Sequence, residues 1–173
     1  MQVMTLLGLD MPAKKSSQVS DNMPKFETTR RVRHSAEQMF ALVADIKNYP
    51  EFVPMCEALT IRETRERDGQ ILLTADMSIG YKAIHETFTS QVHLKPATSE
   101  IRARYLDGPF KSLDNLWTFI PAGNNACDVK FYIDYEFKNA MLGMIMGAMF
   151  DRAFRHFAQA FEERADKIYG VKA

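Results

Sequence analysis

The side chains able to do chemistry are few and scattered. His34, His85, His93 and His156 fall in separate segments, and the two cysteines, Cys56 and Cys127, lie far apart. There is no HExxH pair, no GxSxG nucleophile turn and no glycine-rich phosphate loop. The cysteines have neither a thioredoxin-type nor a zinc-type spacing and cannot build a disulfide framework. They read as buried free thiols in a reducing compartment, since free cysteine packs as a small hydrophobe. His85 and Glu86 are neighbours in a strand pattern, so they point to opposite faces. Asp76, Asp134 and Glu136 fall on the polar phase of their strands, hence outside. No acid–base pair is expected to face an enclosed space. The expectation is a binding protein, not an enzyme, with no metal and no required cofactor.

The distinctive chemistry is apolar. The stretch Asn48–Cys56, "NYPEFVPMC", is too greasy and too stiff for a plain connector, which would be polar at its bends. "LDGPFKSL", Leu106–Leu113, places Phe110 beside the turn-forming Gly108 and Pro109. Prolines reduce the entropy that a loop loses on ordering. Stiff apolar loops of this kind suit the rim of a cavity. Residues Asn139–Phe150, "NAMLGMIMGAMF", carry no charge and include four of the chain's 11 methionines. Methionine is flexible and suits adaptable binding surfaces.

The chain has 173 residues, enough for one domain, with 46% hydrophobic and 25% charged residues and zero formal net charge. That balance argues against binding DNA by bulk charge. Residues 1–22 read as a disordered tail or an upstream extension, with Met23 as an alternative start, and residues 171–173 as a short C-terminal tail. The apolar run Met4–Leu9 is too short for a signal core or a membrane span, so the cytoplasm is the expected location.

Periodicity supplies the elements. Lys25–His34 alternates as a strand. Ser35 then caps a helix, with Gln38 at capping-box spacing. Met39, Phe40, Leu42 and Val43 give that helix its apolar face up to about Asp45. Ala58–Arg67 is strand-like and ends at the hairpin signal Asp68–Gly69. Ile71 to Ile79 alternate until Gly80, which is expected to break the run. Further strands run through Ile84–Val92, Ile101–Tyr105, Leu113–Phe119 and Val129–Phe137. From Asn139 to about Tyr169 the period becomes 3.6, with Leu142, Met146, Met149, Ala153, Phe154, Phe157, Phe161, Ala165 and Ile168 on one face. Such a helix is on the order of 45 Å long. The order implies an α+β fold in which a curved antiparallel sheet of about six to seven strands wraps a long C-terminal helix, with a short helix or helix pair after the first strand. A sheet curled around a helix encloses either a packed core or a ligand cavity of roughly 300–1,000 Å³.

The segments "FALVADIKNYPEFVPMC", "LDGPFKSLDNLWTF", "FYIDYEFKNAM" and "AFEERADKIYG" closely resemble the coenzyme-Q-binding, polyketide-cyclase-like branch of the START, or helix-grip, superfamily. The resemblance covers residues 23–170. It implies a non-catalytic carrier or chaperone for ubiquinone or a related polyprenyl lipid, supporting respiratory electron transfer and quinone biosynthesis. Peripheral contact with the inner face of a membrane is expected as well, because a long-tailed quinone is collected from a bilayer and the uncharged stretch Asn139–Phe150 permits shallow insertion. Two alternatives stand beside it. One is a ribosome-associating toxin of a toxin–antitoxin pair, for which Arg30, Arg31, Arg33, Arg62, Arg65 and Arg67 are the basic candidates. The other is a small-molecule cyclase with Asn115, Tyr105, Tyr135 or His85 inside the cavity. The expected ligand contacts are Phe52, Val53, Pro54 and Met55 in the first loop and Phe110 in the second. Met77, Tyr105, Trp117, Phe119 and Phe131 join them on strands, and Met141, Met144, Ile145 and Met149 on the helix. Phe52, Val53, Phe110, Met141 and Met144 are expected to form one membrane-contacting mouth.

Overall fold

A computed structural model describes residues 25–171. The expected tail at 1–22 and the alternative start at Met23 lie outside the described residues. Seven strands form one antiparallel sheet: β1 (Lys25–Val32), β2 (Cys56–Arg67), β3 (Gln70–Tyr81), β4 (Ile84–Lys95), β5 (Glu100–Asp107), β6 (Phe110–Pro121) and β7 (Cys127–Phe137). Their spatial order is β1-β7-β6-β5-β4-β3-β2, a meander with the first strand added beside the last. Irregular registers at Cys56/Ala58, Ile61/Glu63, Thr89/Ser90 and Phe110/Ser112 bend the strands, as β-bulges do, and help the sheet to curve.

Helix α1 (Ala36–Ala44) begins with the expected capping box: Ser35 Oγ accepts from the Gln38 amide and Gln38 Oε1 accepts from the Ser35 amide, both at 3.1 Å. A short 3-10 helix, Ile46–Glu51, follows and holds Pro50. Helix α2 (Ala140–Tyr169) starts on Asn139, whose Oδ1 accepts from the Met141 and Leu142 amides at 2.9 and 3.2 Å.

The inward phase of β7 is Cys127, Val129, Phe131, Ile133, Tyr135 and Phe137, all buried. Against it α2 seats Met146, Phe150, Ala153, Phe154, Ala158, Phe161 and Ala165. Each phenylalanine removed from water in this layer contributes about 2–3 kcal/mol. The far end of α2 is tied by polar contacts. Buried His34 meets Asp166 Oδ1 through Nε2 at 2.6 Å, Arg30 pairs with Glu162, and Arg164 reaches Glu51 at 2.6 Å.

Several details depart from the sequence pattern. Gly80 does not end its strand, since β3 runs to Tyr81. Its amide donates to the Met55 carbonyl at 3.0 Å, and a Cβ there would lie 1.9 Å from a Glu57 carboxylate oxygen. The glycine is a crossing point for a neighbouring side chain, not a terminator. Ile168, expected on the core face, is half exposed. The six arginines do not cluster, because β1 and β2 occupy opposite edges of the sheet. Five of them are matched with carboxylates: Arg30 with Glu162, Arg31 with Asp128, Arg62 with Asp76, Arg65 with Glu63 and Arg67 with Asp68. Charged residues on edge strands protect a sheet against pairing with another chain.

Candidate functional site

Beneath α2 the sheet encloses a cavity of about 120 Å³. This is well below the expected range for a lipid-sized site. Aromatic rings account for the difference. Phe110 stacks on Phe137 at 4.7 Å and lies near Phe150, while Trp117 meets Phe131 at 4.7 Å and Phe161 at 4.9 Å. The wall also includes Leu59, Ala75, Met77, Ile79, Val92, Ile101, Ala103, Leu113 and Ile133. Its polar members are Ser90, Asn115, Tyr49 and Tyr135, and no charged residue lines it. The Tyr49 hydroxyl donates to the Val43 carbonyl, and Asn115 Nδ2 donates to the Tyr132 carbonyl at 2.8 Å. Burial pushes the Tyr135 phenol up to about 12, with Asp151 adding to the effect, and raises that of Tyr49 further. Neither phenol is prepared to act as a base near neutral pH.

An open groove of about 490 Å³ adjoins the cavity. Pro54 and Met55 line both spaces, so they form the threshold between them. The groove continues over Tyr81 and along Ala148, Met149, Arg152, Ala153 and His156 of α2. Met55 has φ +67°, a left-handed conformation that is costly for a residue with a Cβ. Its carbonyl is held by the Gly80 amide. The threshold is therefore fixed by backbone pairing to β3, and the stiffness of "NYPEFVPMC" serves that placement.

The expected contact residues separate into groups. Val53, Pro54, Met55, Met77, Phe110, Trp117 and Phe131 line the cavity, and Met149 lines the groove. Six others line neither. Phe52 packs on Phe161 at 5.0 Å, with the Arg164 guanidinium 5.1 Å from its ring. Phe119 turns to Phe40 of α1 at 5.9 Å. Tyr105 stands against Phe110 at 5.8 Å, with its hydroxyl buried and unpartnered. Met141, Met144 and Ile145 are 71%, 82% and 50% exposed.

The single mouth built from Phe52, Val53, Phe110, Met141 and Met144 is thus contradicted. Phe110 and Val53 are buried, and Phe52 packs on Phe161, twenty residues from Met141, or about 30 Å along the helix. Gly108 explains the burial of Phe110. At φ +135°, a Cβ there would lie 2.8 Å from Phe88 Cβ and 2.9 Å from the Thr87 carbonyl. The turn folds down onto β4 and carries Phe110 inward rather than presenting it.

The sequence reading missed Tyr49, Phe88, Phe150 and Phe154 as cavity residues. Alternation on β4 and the helical stripe on α2 carried that signal. Of the polar candidates, Asn115 and Tyr135 line the cavity, whereas His85 lies outside, with Nδ1 3.0 Å from Glu57. Among the described residues, no cluster of three or more His, Cys, Asp or Glu is placed to hold a metal. No described helix is long and apolar enough to cross a membrane.

Residues 32–162 match the family described as polyketide cyclase / dehydrase and lipid transport. The chain is 35% identical over 150 residues to the ribosome association toxin RatA of Escherichia coli (strain K12), covering 87% of this chain and 92% of the toxin. It is 27% identical over 170 residues to the coenzyme Q-binding protein COQ10 homolog B, mitochondrial, of Xenopus laevis, covering 96% of this chain and 66% of that protein. Among solved structures, an 18 kDa protein from Caulobacter crescentus superposes with a TM-score of 0.72 at 32% identity, over 86% of this chain and 100% of that one. The Zhui aromatase/cyclase superposes with the same TM-score, 0.72, at 19% identity, over 84% of this chain and 94% of that one. This last likeness carries the fold alone.

Proposed function

The chain belongs to the polyketide cyclase / dehydrase and lipid transport family, and from that premise we propose that it is a non-catalytic carrier of a polyprenyl quinone or a related polyprenyl lipid. The observation that carries this reading is the enclosed cavity walled by apolar and aromatic side chains with no charged group among them. A neutral ring needs such a wall, and an acid–base reaction does not get its catalytic groups from it. An apolar cavity of ~150 Å³ holds one benzene, so at about 120 Å³ this one takes a quinone ring only when flexible wall residues such as Met55 and Met77 move aside. The groove beyond Pro54 and Met55 offers the prenyl chain a path outward. A quinone with a long tail is hardly soluble, so its carrier collects it from a bilayer. Met141, Met144 and Ile145 are the exposed apolar side chains that suit shallow insertion there, at the inner face of a membrane.

Trp117 is the chain's single tryptophan and lines the cavity. Titration with a short-chain quinone is expected to quench its fluorescence and raise the melting temperature. A ligand at 100 times its dissociation constant stabilises by about 2.7 kcal/mol. Unchanged fluorescence together with an unchanged melting temperature contradicts the proposal.

The ribosome association toxins among the relatives favour a second reading, a ribosome-directed protein. Its test is co-sedimentation of the purified chain with isolated ribosomal subunits. The matched arginines on opposite sheet edges lend that reading no continuous basic face.

A further inference from the structure

The exposed side of α2 carries a second pattern. Met141, Ile145, Ala148, Arg152 and His156 follow one another at spacings of three and four, so they form a single strip along the helix. All five are exposed, and Met144 flanks the strip. The strip is apolar at its start and carries Arg152 and His156 at its end, where it becomes one wall of the groove. No carboxylate lines that groove. Asp151, the acidic neighbour of Arg152, is engaged by Arg155 at 3.2 Å. Eight other arginines pair with carboxylates, whereas Arg152 has no such partner among the described residues.

We propose that Arg152 and His156 bind the phosphate of an anionic phospholipid while Met141, Met144 and Ile145 enter the acyl boundary, which sets the groove against the bilayer. The geometry fits the thickness of an interface. From Ile145 to Arg152 the helix rises about 10 Å. With α2 entering the boundary by its N-terminal end, this rise is a difference in depth, and it is enough to leave the guanidinium at headgroup level when the methionines reach the hydrocarbon. Arginine suits this role because its planar fork matches two phosphate oxygens, and an imidazole N–H adds a donor one turn on. A prenyl chain leaving the bilayer beside these residues meets the groove first and the Pro54–Met55 threshold next.

The inference rests on the reading that the apolar end of α2 meets a membrane, and the test separates the two. Flotation of the full chain is measured with vesicles of phosphatidylcholine alone and of phosphatidylcholine with phosphatidylglycerol. The wild-type chain is expected to bind the anionic vesicles more tightly, and Arg152→Gln to lose roughly fivefold of that binding, the weight of one cation at an anionic surface. Arg152→Gln with His156→Gln is expected to fall to the level on phosphatidylcholine. Equal binding of wild type and double variant to anionic vesicles overturns the headgroup site but leaves the apolar contact standing. No binding to either vesicle overturns both. If inorganic phosphate raises the melting temperature of wild type but not of the double variant, the site takes a free anion and the membrane source is wrong. Trp117 quenching in the wild type, measured without vesicles, reports on the cavity independently of all these outcomes.

Discussion

The two halves of α2 invert the usual relation between composition and burial. Its first three turns carry no charge, yet Met141, Met144 and Ile145 stand in solvent. Its last five turns are rich in charge, yet Phe154, Phe161 and Ala165 are buried, and Glu162, Arg164 and Asp166 each hold a partner on another element. The difference is periodicity. The charged half confines its apolar residues to one stripe, which the sheet covers. The uncharged half is apolar on all sides, and the sheet covers only the side bearing Met146 and Phe150. What is left over is an exposed patch, and soluble proteins rarely keep such patches without a use.

The comparison breaks most visibly through Phe110, the ring that the seated part of the helix packs on. Phe110→Asp buries an unpaired carboxylate and is expected to cost about 4 kcal/mol or more, enough to abolish a cooperative thermal transition. A variant that melts like the parent means that Phe110 lies at the surface. The next effect is at the charged half, where Phe161→Ala is expected to lower stability by about 3–5 kcal/mol in denaturant unfolding. A loss below about 1 kcal/mol places the anchor elsewhere.

A smaller effect is expected from pH. Burial raises the Cys56 and Cys127 thiols from 9.0 to about 11, with Glu57 and Asp128, respectively, the next contributors. The unfolded chain therefore ionises first. Both states keep their thiols neutral below pH 9, so the contribution is level there and is lost as pH rises from 9 towards 11. The melting temperature of the wild type should fall over that window, and substitution of both cysteines by alanine should flatten the fall. An equally steep fall in the substituted chain assigns it to other groups.

The smallest effect on stability belongs to the exposed half. Met144→Gln is expected to change stability by no more than about 0.5 kcal/mol while weakening flotation on phosphatidylcholine vesicles. Destabilisation like that of Phe161→Ala would erase the contrast between the halves.

Much of this frame was legible in the residues. Alternation from Val129 to Phe137 marked β7 and its buried face, Ser35 and Gln38 marked the start of α1, and Asp68–Gly69 marked the β2–β3 hairpin. The site was less legible, because turn residues reveal that a chain bends and not what it bends onto. Gly108 and Pro109 look the same whether Phe110 is displayed or buried, and the approach of the Phe88 and Thr87 backbone decides the matter. Gly80 looks like a strand terminator until Glu57 is seen crossing it. The threshold at Pro54 and Met55 depends on the pairing of Met55 with Gly80, a contact between segments that no local pattern encodes.

The central claim is that the cavity under α2 carries a polyprenyl quinone. Solvent extraction of the chain purified from a quinone-producing host, followed by mass spectrometry, tests it most directly. The expected result is a polyprenyl quinone that co-purifies with the wild-type chain and is depleted when Ala103→Phe or Met77→Trp fills the cavity of a chain that still folds. Extracts without quinone, or with quinone equally abundant in the folded cavity variants, would contradict it.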